Sequence, residues 1–431
     1  MKRKSLALTA ALMSAVLLTA CGGSDGDDSP APAPAPAPSP APSPAPSNDK
    51  FTQKASWTFT LPEAGESLCY DFDRAASVAG CTGTAWDLKI TSGGRSASLW
   101  TNSGTSGSGS GGAFGGPFDR DWATLSSWLD ATVDPVDGPM PDAVYFRDTS
   151  QGAFTGTNGI ASAAFEYSLK DDYQLYPNYR VFLITTDSAS ADAVGTPAAP
   201  VFALQVTGYY GGPTGVASGH PTFRWVDRRA PGAVHEATVD ATSNTDWVYF
   251  DLTAGAVSSA SGTWHIAFNR YNVKLNGGDS GAGTVAGFVG KTPAGFYDAE
   301  GKPIVDRFAS ARPADTLADL TAADIAVPAA ARNWISDANH SALDAGYRGT
   351  YPNALDFGWY RYFPTAEAAQ AAGLPATAHL LAANPDGASL LRSGEGNSYA
   401  RFHVTRIAYA DPAVNSSAQT WTIEFDVQPA P

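Results

Sequence analysis

From about residue 50 onward, short runs of alternating bulky and polar residues are separated by turns rich in Gly, Pro and Asp. Trp57-Thr58-Phe59-Thr60-Leu61, Trp264 to Tyr271 and Phe402 to Tyr409 all carry this period of two, which marks half-buried strands. In Trp264-His265-Ile266-Ala267-Phe268 the Trp, Ile and Phe share one face and His265 takes the other. Such runs joined by turn residues predict antiparallel meanders. Helix is scarce. The best pattern is 365–373, with a Thr cap, an Ala-rich body and a Gly stop; a second short helix is expected within 319–331.

The strand pattern is written twice. One copy reads Asp246-Trp247-Val248-Tyr249-Phe250-Asp251-Leu252, then Trp264-His265-Ile266-Ala267-Phe268-Asn269-Arg270-Tyr271, then Asn276-Gly277-Gly278-Asp279-Ser280-Gly281. A fainter copy reads Cys69-Tyr70-Asp71-Phe72-Asp73, then Trp86-Asp87-Leu88-Lys89-Ile90, then Asn102-Ser103-Gly104-Thr105-Ser106-Gly107. Tyrosine to tryptophan spans 16 positions in the fainter copy and 15 in the clearer one. The closing strands match as well: Thr222-Phe223-Arg224-Trp225-Val226-Asp227 ends one copy, and Trp421-Thr422-Ile423-Glu424-Phe425-Asp426-Val427 the other. A period this long indicates duplicated modules, expected at 50–230 and 231–431. The fold class is therefore all-β, mainly antiparallel sheets with short helical insertions, in two tandem domains.

The N-terminus changes the picture. Lys2-Arg3-Lys4 precedes a short apolar run that closes on Leu18-Thr19-Ala20-Cys21-Gly22, the pattern of a lipoprotein signal peptide over 1–20 with Cys21 as the lipidated residue. Residues 21–49 form a tether, acidic over 24–28 and alternating Pro with Ala or Ser over 29–47. An extended polyproline run at roughly 3.1 Å per residue would hold the folded part on the order of 60 Å from the lipid. Lipid sorting by resemblance to bacterial lipoproteins places the protein at the outer membrane of a Gram-negative cell, held by its anchor alone.

Charge and cysteine content narrow the class further. The formal net charge is −15, and removal of Lys2, Arg3 and Lys4 leaves −18. That argues against a nucleic-acid partner. With Cys21 lipidated, Cys69 and Cys81 remain, and an oxidising compartment is expected to join them.

Enzyme signatures are missing: there is no GxSxG, HExxH, Walker loop or CxxC. The expectation is a non-enzyme. Six histidines carry the remaining chemistry: His220, His235, His265, His340, His379 and His403. His340, in the polar run Ser336-Asp337-Ala338-Asn339-His340-Ser341, is the first candidate for a metal or haem iron. His379 reads as a strand-end residue, His265 and His403 as a solvated sheet face, and His220 and His235 as structural. Met140 is the one mature methionine, in a loop where packing is the usual role. Tyr347, Tyr351 and Trp359 stand in loops where they could wall a flat apolar ligand, or simply pack between sheet and loops.

Trp247-Val248-Tyr249-Phe250, the run from Trp264 to Val273, Asn276-Gly277-Gly278-Asp279-Ser280-Gly281 and the closing strands resemble the HmuY family of haem-binding bacterial lipoproteins. The first copy resembles a degenerate version. The resemblance implies haem as cofactor and cargo, and a TonB-dependent outer-membrane receptor as partner. It also implies iron acquisition at the cell surface. The sequence departs from the family at His265, usually Asp, and at His403, usually Gln. No histidine stands just after Trp359-Tyr360-Arg361-Tyr362-Phe363, where the best-known members carry an axial ligand. The alternative is a non-haem binding or adhesion lipoprotein that contacts a protein or polymer through the same loops.

Overall fold

In the computed structural model, residues 48–431 are described and form one compact unit. The signal peptide, Cys21 and nearly all of the tether lie outside the described residues. Antiparallel sheets dominate, with four short α-helices among the described residues, so the all-β expectation holds. The helix at Ala366–Ala371 forms as its sequence predicts: the Thr365 side chain accepts the Ala368 N–H, and Gly373 takes positive φ. The second helix sits earlier than expected, at Leu317–Leu320; Pro328 keeps a helix from running through the rest of 319–331, and only a 3-10 turn follows at Ala331–Asn333.

The repeat is visible as two matching five-stranded sheets. One runs Gln53–Thr60, Gln419–Gln428, Tyr399–Tyr409, Ala388–Arg392, Gly112–Phe114. The other runs His235–Thr238, Ala217–Asp227, Val201–Gly211, Val181–Thr185, Ala286–Lys291. Each is covered by a four-stranded sheet, Ser67–Asp71 and its neighbours in one case, Val248–Asp251 and its neighbours in the other. Threonine pairs set matching registers: Thr58 meets Thr422 at 3.1 Å between hydroxyls, and Thr222 meets Thr238 at 2.8 Å.

Packing boundaries do not follow the repeat boundaries. The outer core packs Trp57, Tyr70, Phe72, Leu88 and Ile90 from the first repeat against Phe402, Trp421 and Phe425 from the second. The inner core packs Phe182, Leu204, Phe223 and Trp225 from the first against Phe250, Ile266 and Phe268 from the second. Each repeat thus contributes its N-terminal half to one core and its C-terminal half to the other. The two connecting segments pass each other as a short antiparallel ladder, Thr149–Gln151 against Ala338–His340.

Equivalent polar groups anchor both crossings. Asp148 accepts the Thr101 N–H at 3.0 Å, and Asp337 accepts the Leu275 N–H at 2.9 Å. Asn102 links the Trp86 carbonyl to the Gly109 N–H, as Asn276 links the Trp264 carbonyl to the Gly283 N–H. Strand pairing also corrects the sequence alignment of the copies. Tyr70 faces Leu88 as Phe250 faces Ile266, so Cys69 corresponds to Tyr249 rather than Val248. The extra length of the first copy falls in the turn holding Cys81, which is joined to Cys69 with Cα atoms 5.4 Å apart.

Candidate functional site

The residues singled out from sequence do not converge. Trp359 is a core residue: its ring stacks on Phe402 at 4.7 Å and its N–H donates to the Leu343 carbonyl at 2.8 Å. Tyr347 and Tyr351 stand 60% and 70% exposed on one loop, Tyr347 tilted against Phe357. His340 lies half-buried in the crossing ladder opposite Thr149. Met140 packs beside Trp128 and Tyr145, as its loop setting suggests.

The other histidines divide by contact. His403 lies flat on Trp122, centroids 3.7 Å apart, with Nδ1 2.8 Å from the Pro385 carbonyl. His379 takes positive φ and holds the Tyr362 hydroxyl at 2.6 Å. His220 sits by the Ala217 carbonyl at 3.2 Å.

His235 and His265 meet at one cavity of about 370 Å³ at the end of the inner core. Its walls include Phe202, Trp225, Pro197 and Pro200, with Asp227, Arg229 and Asp251 around them. His235 is exposed on an edge strand directly opposite Trp225, on which its ring stacks at 5.3 Å. His265 is buried, with Phe202 edge-on at 5.7 Å. Its Nδ1 stands between a donor, the Leu252 N–H at 3.2 Å, and an acceptor, Asp251 Oδ1 at 3.3 Å. Burial holds its pKa below the ordinary 6.5, with the Asp251 charge opposing, so the ring is neutral near pH 7. A neutral imidazole is the form that ligates metal. A neutral ring that accepts the Leu252 N–H at Nδ1 carries its proton on Nε2. The tautomer that donates Nδ1–H to Asp251 gives up that bond and frees the Nε2 lone pair for a metal, with the carboxylate orienting the ring.

The outer core has neither histidine. Ala55 stands opposite Phe425 where His235 stands opposite Trp225. Asp87 takes the Phe72 N–H at 2.9 Å, as His265 takes that of Leu252. Asp87 there lies with Asp71 and Asp73, and burial pushes its pKa well up. Each carboxylate has partners in the chain: Asp87 the Gly394 N–H, Asp73 the Ser398 hydroxyl, Asp71 the Arg74 guanidinium. The duplicated folds therefore differ chemically at this cavity. Sequence reading missed the pair because its histidines lie 30 positions apart, on strands that only tertiary pairing joins. The one available signal was the exchange of Asp87 for His265 beside matching tryptophans.

Residues 243–425 match the family model described as HmuY protein. The chain thus carries an HmuY-family domain across that stretch, which includes His265 and runs from the inner core into the outer one. No curated protein matches the chain.

Proposed function

We propose that the protein is a lipid-anchored HmuY-family lipoprotein of the outer membrane that binds haem, or a related small ligand, and hands it to a TonB-dependent receptor. The family match supports haem binding at a coarse level. The observation that carries the site assignment is the pairing of His235 and His265 in one aromatic-walled cavity.

The donor set fits the ligand. In its Nδ1–H tautomer, turned to Asp251, His265 would offer a neutral imidazole, and His235 a second ring at the rim. Trp225 and Phe202 add buried apolar rings to the wall, and haem would bring a flat apolar macrocycle with an iron that accepts imidazole nitrogen. Haemin titration of residues 48–431 tests this. A saturable Soret band is expected, shifted or weakened in His265→Ala and His235→Ala. No saturable band ends the haem reading. A band that responds only to His340→Ala moves the site to the crossing ladder.

A second reading rests on Tyr347 and Tyr351, two large exposed rings on one loop. Paired aromatics of this kind suit an adhesive contact with a protein or polymer partner. Loss of receptor or polymer capture in a Tyr347→Ser, Tyr351→Ser double variant, with haemin titration unchanged, would favour it.

A further inference from the structure

A second cavity, of about 590 Å³, opens where the two connecting segments cross. It shares no lining residue with the histidine cavity. Its size suits a small ligand, for which roughly 300–1,000 Å³ is usual. The lining mixes aromatic faces, Trp247 and Tyr271, with the amides Gln151, Asn272 and Asn339. Among the described residues these three side-chain amides make no hydrogen bond within the chain.

Lys274 stands on the same wall. Its ammonium lies 4.5 Å from the Trp247 ring centre, 5.1 Å from Tyr249 and 5.6 Å from Trp264. The matching lysine of the outer half, Lys89, lies over Trp86 and donates to the Ser106 carbonyl at 3.0 Å. Lys274 has no such oxygen among the described residues. The two lysines come from opposite members of one cross-strand pair: Lys89 faces Trp100, whereas Ala267 faces Lys274. Inversion of that pair keeps an ammonium over the tryptophan and leaves its N–H donors to the inner cavity.

Charge selects the ligand class. One ammonium faces two carboxylates, Asp279 and Asp337, which accept the Asn339 N–H at 2.7 Å and the Leu275 N–H at 2.9 Å. An added anion would meet more negative than positive charge. A neutral ring with hydroxyls at its edge and C–H groups on its face meets every group present. We propose that this cavity binds a neutral sugar, its face on Trp247 or Tyr271. Its hydroxyls bond the amides of Gln151, Asn272 and Asn339 and the Lys274 ammonium. The site is independent of haem binding.

Saturation-transfer NMR on residues 48–431, with lactose, maltose and diacetylchitobiose as probes, tests the proposal. At least one sugar is expected to give a saturable signal. Trp247→Ala is expected to abolish it, and Asn272→Ala to weaken it about two- to tenfold, the effect of one hydrogen bond. Asn272 is exposed, so that variant keeps its fold and decides the matter if Trp247→Ala does not fold. No saturable signal from any of the three sugars overturns the proposal, as does a signal indifferent to Asn272→Ala. Haemin titration of Asn272→Ala should match the parent chain, which separates failure here from failure of the haem reading.

Discussion

Lys54 donates to Asp426 at 2.8 Å, joining the first strand to the last across 372 positions of sequence. Arg401 holds the other oxygen of Asp426 at 2.9 Å from its Nε and Nη2, so the carboxylate is fixed where the Lys54 strand pairs. In two side-by-side modules this contact could not form, because Lys54 and Asp426 would belong to different cores. A zero-length carbodiimide reaction should join Lys54 to Asp426 within one chain, read by peptide mass spectrometry. Recovery of Lys54 linked only to Asp227 would instead indicate closed, unexchanged repeats.

Much of the fold was legible in the sequence, and the exchange was not. Period-two alternation located the strands around Trp57, Trp264 and Phe402, and the Thr365 and Gly373 signals bracketed the helix at Ala366–Ala371. Alternation reports which face is buried, and is silent about which partner buries it. Because the two repeats offer equivalent faces, Trp225 could cover Phe72 or Phe250 with equal local logic. Only the crossing at 149–151 and 338–340 decides between them. The same blindness hid the histidine cavity, since His235 reaches it through an edge pairing with Trp225 that no local pattern encodes.

Trp359 and Tyr351 give a direct contrast between core and surface. Trp359→Ala removes a buried ring and leaves the Leu343 carbonyl without its donor, so a loss of about 3–5 kcal/mol is expected. Tyr351→Ala, at an exposed loop position, should change stability by no more than ~0.5 kcal/mol. Chemical denaturation of both variants checks this. A mild effect of Trp359→Ala would return that ring to the loops and to ligand contact.

His265 should make stability depend on pH in a known direction. Its folded pKa is lowered by burial below the ordinary 6.5, which the unfolded chain retains. Above 6.5 both states hold a neutral ring and the group adds no pH dependence. As pH falls through 6.5, the unfolded chain gains a proton that the folded chain resists, and stability drops until the lowered folded value is passed. Between about pH 8 and about pH 5 the thermal midpoint should therefore fall further in the parent chain than in His265→Gln. Equal falls would mean that the ring is already protonated in place, paired with Asp251.

The Cys69–Cys81 bridge closes a short loop, with 12 positions between its ends. Chain-entropy reasoning for a loop near that length gives about 3 kcal/mol of stabilisation. The Cys69→Ala, Cys81→Ala variant should lose on the order of 2–3 kcal/mol, seen as an earlier first transition in guanidinium. The inner half has Tyr249 at the Cys69 position and no bridge, so the loss should be confined to the outer core. Exchange of amides in Ile266–Asn269 should stay unchanged while that in Leu88–Ser92 accelerates.

Gly104 and Gly278 mark the two crossings with the same backbone device. Both take positive φ, +55° and +60°, and a Cβ on either would run into the carbonyl of the crossing aspartate, Asp148 or Asp337. The next residue on each side uses that carbonyl: the Thr105 N–H reaches Asp148 at 3.2 Å, and the Asp279 N–H reaches Asp337 at 2.8 Å. Alanine at either glycine therefore meets both strained φ and a backbone clash, while the buried aspartate depends on the local geometry for its own hydrogen bonds. Gly104→Ala and Gly278→Ala should each cost more than about 2 kcal/mol, well above the ~1 kcal/mol typical of point changes. Gly278→Ala should in addition weaken sugar binding in the crossing cavity, because Asp279 and Asn339 would shift with the Asp337 carbonyl. Gly104→Ala should lower stability and disturb the same cavity from its other wall, where Thr105, Thr149 and Gln151 stand. Denaturation and sugar titration of the two variants check both effects.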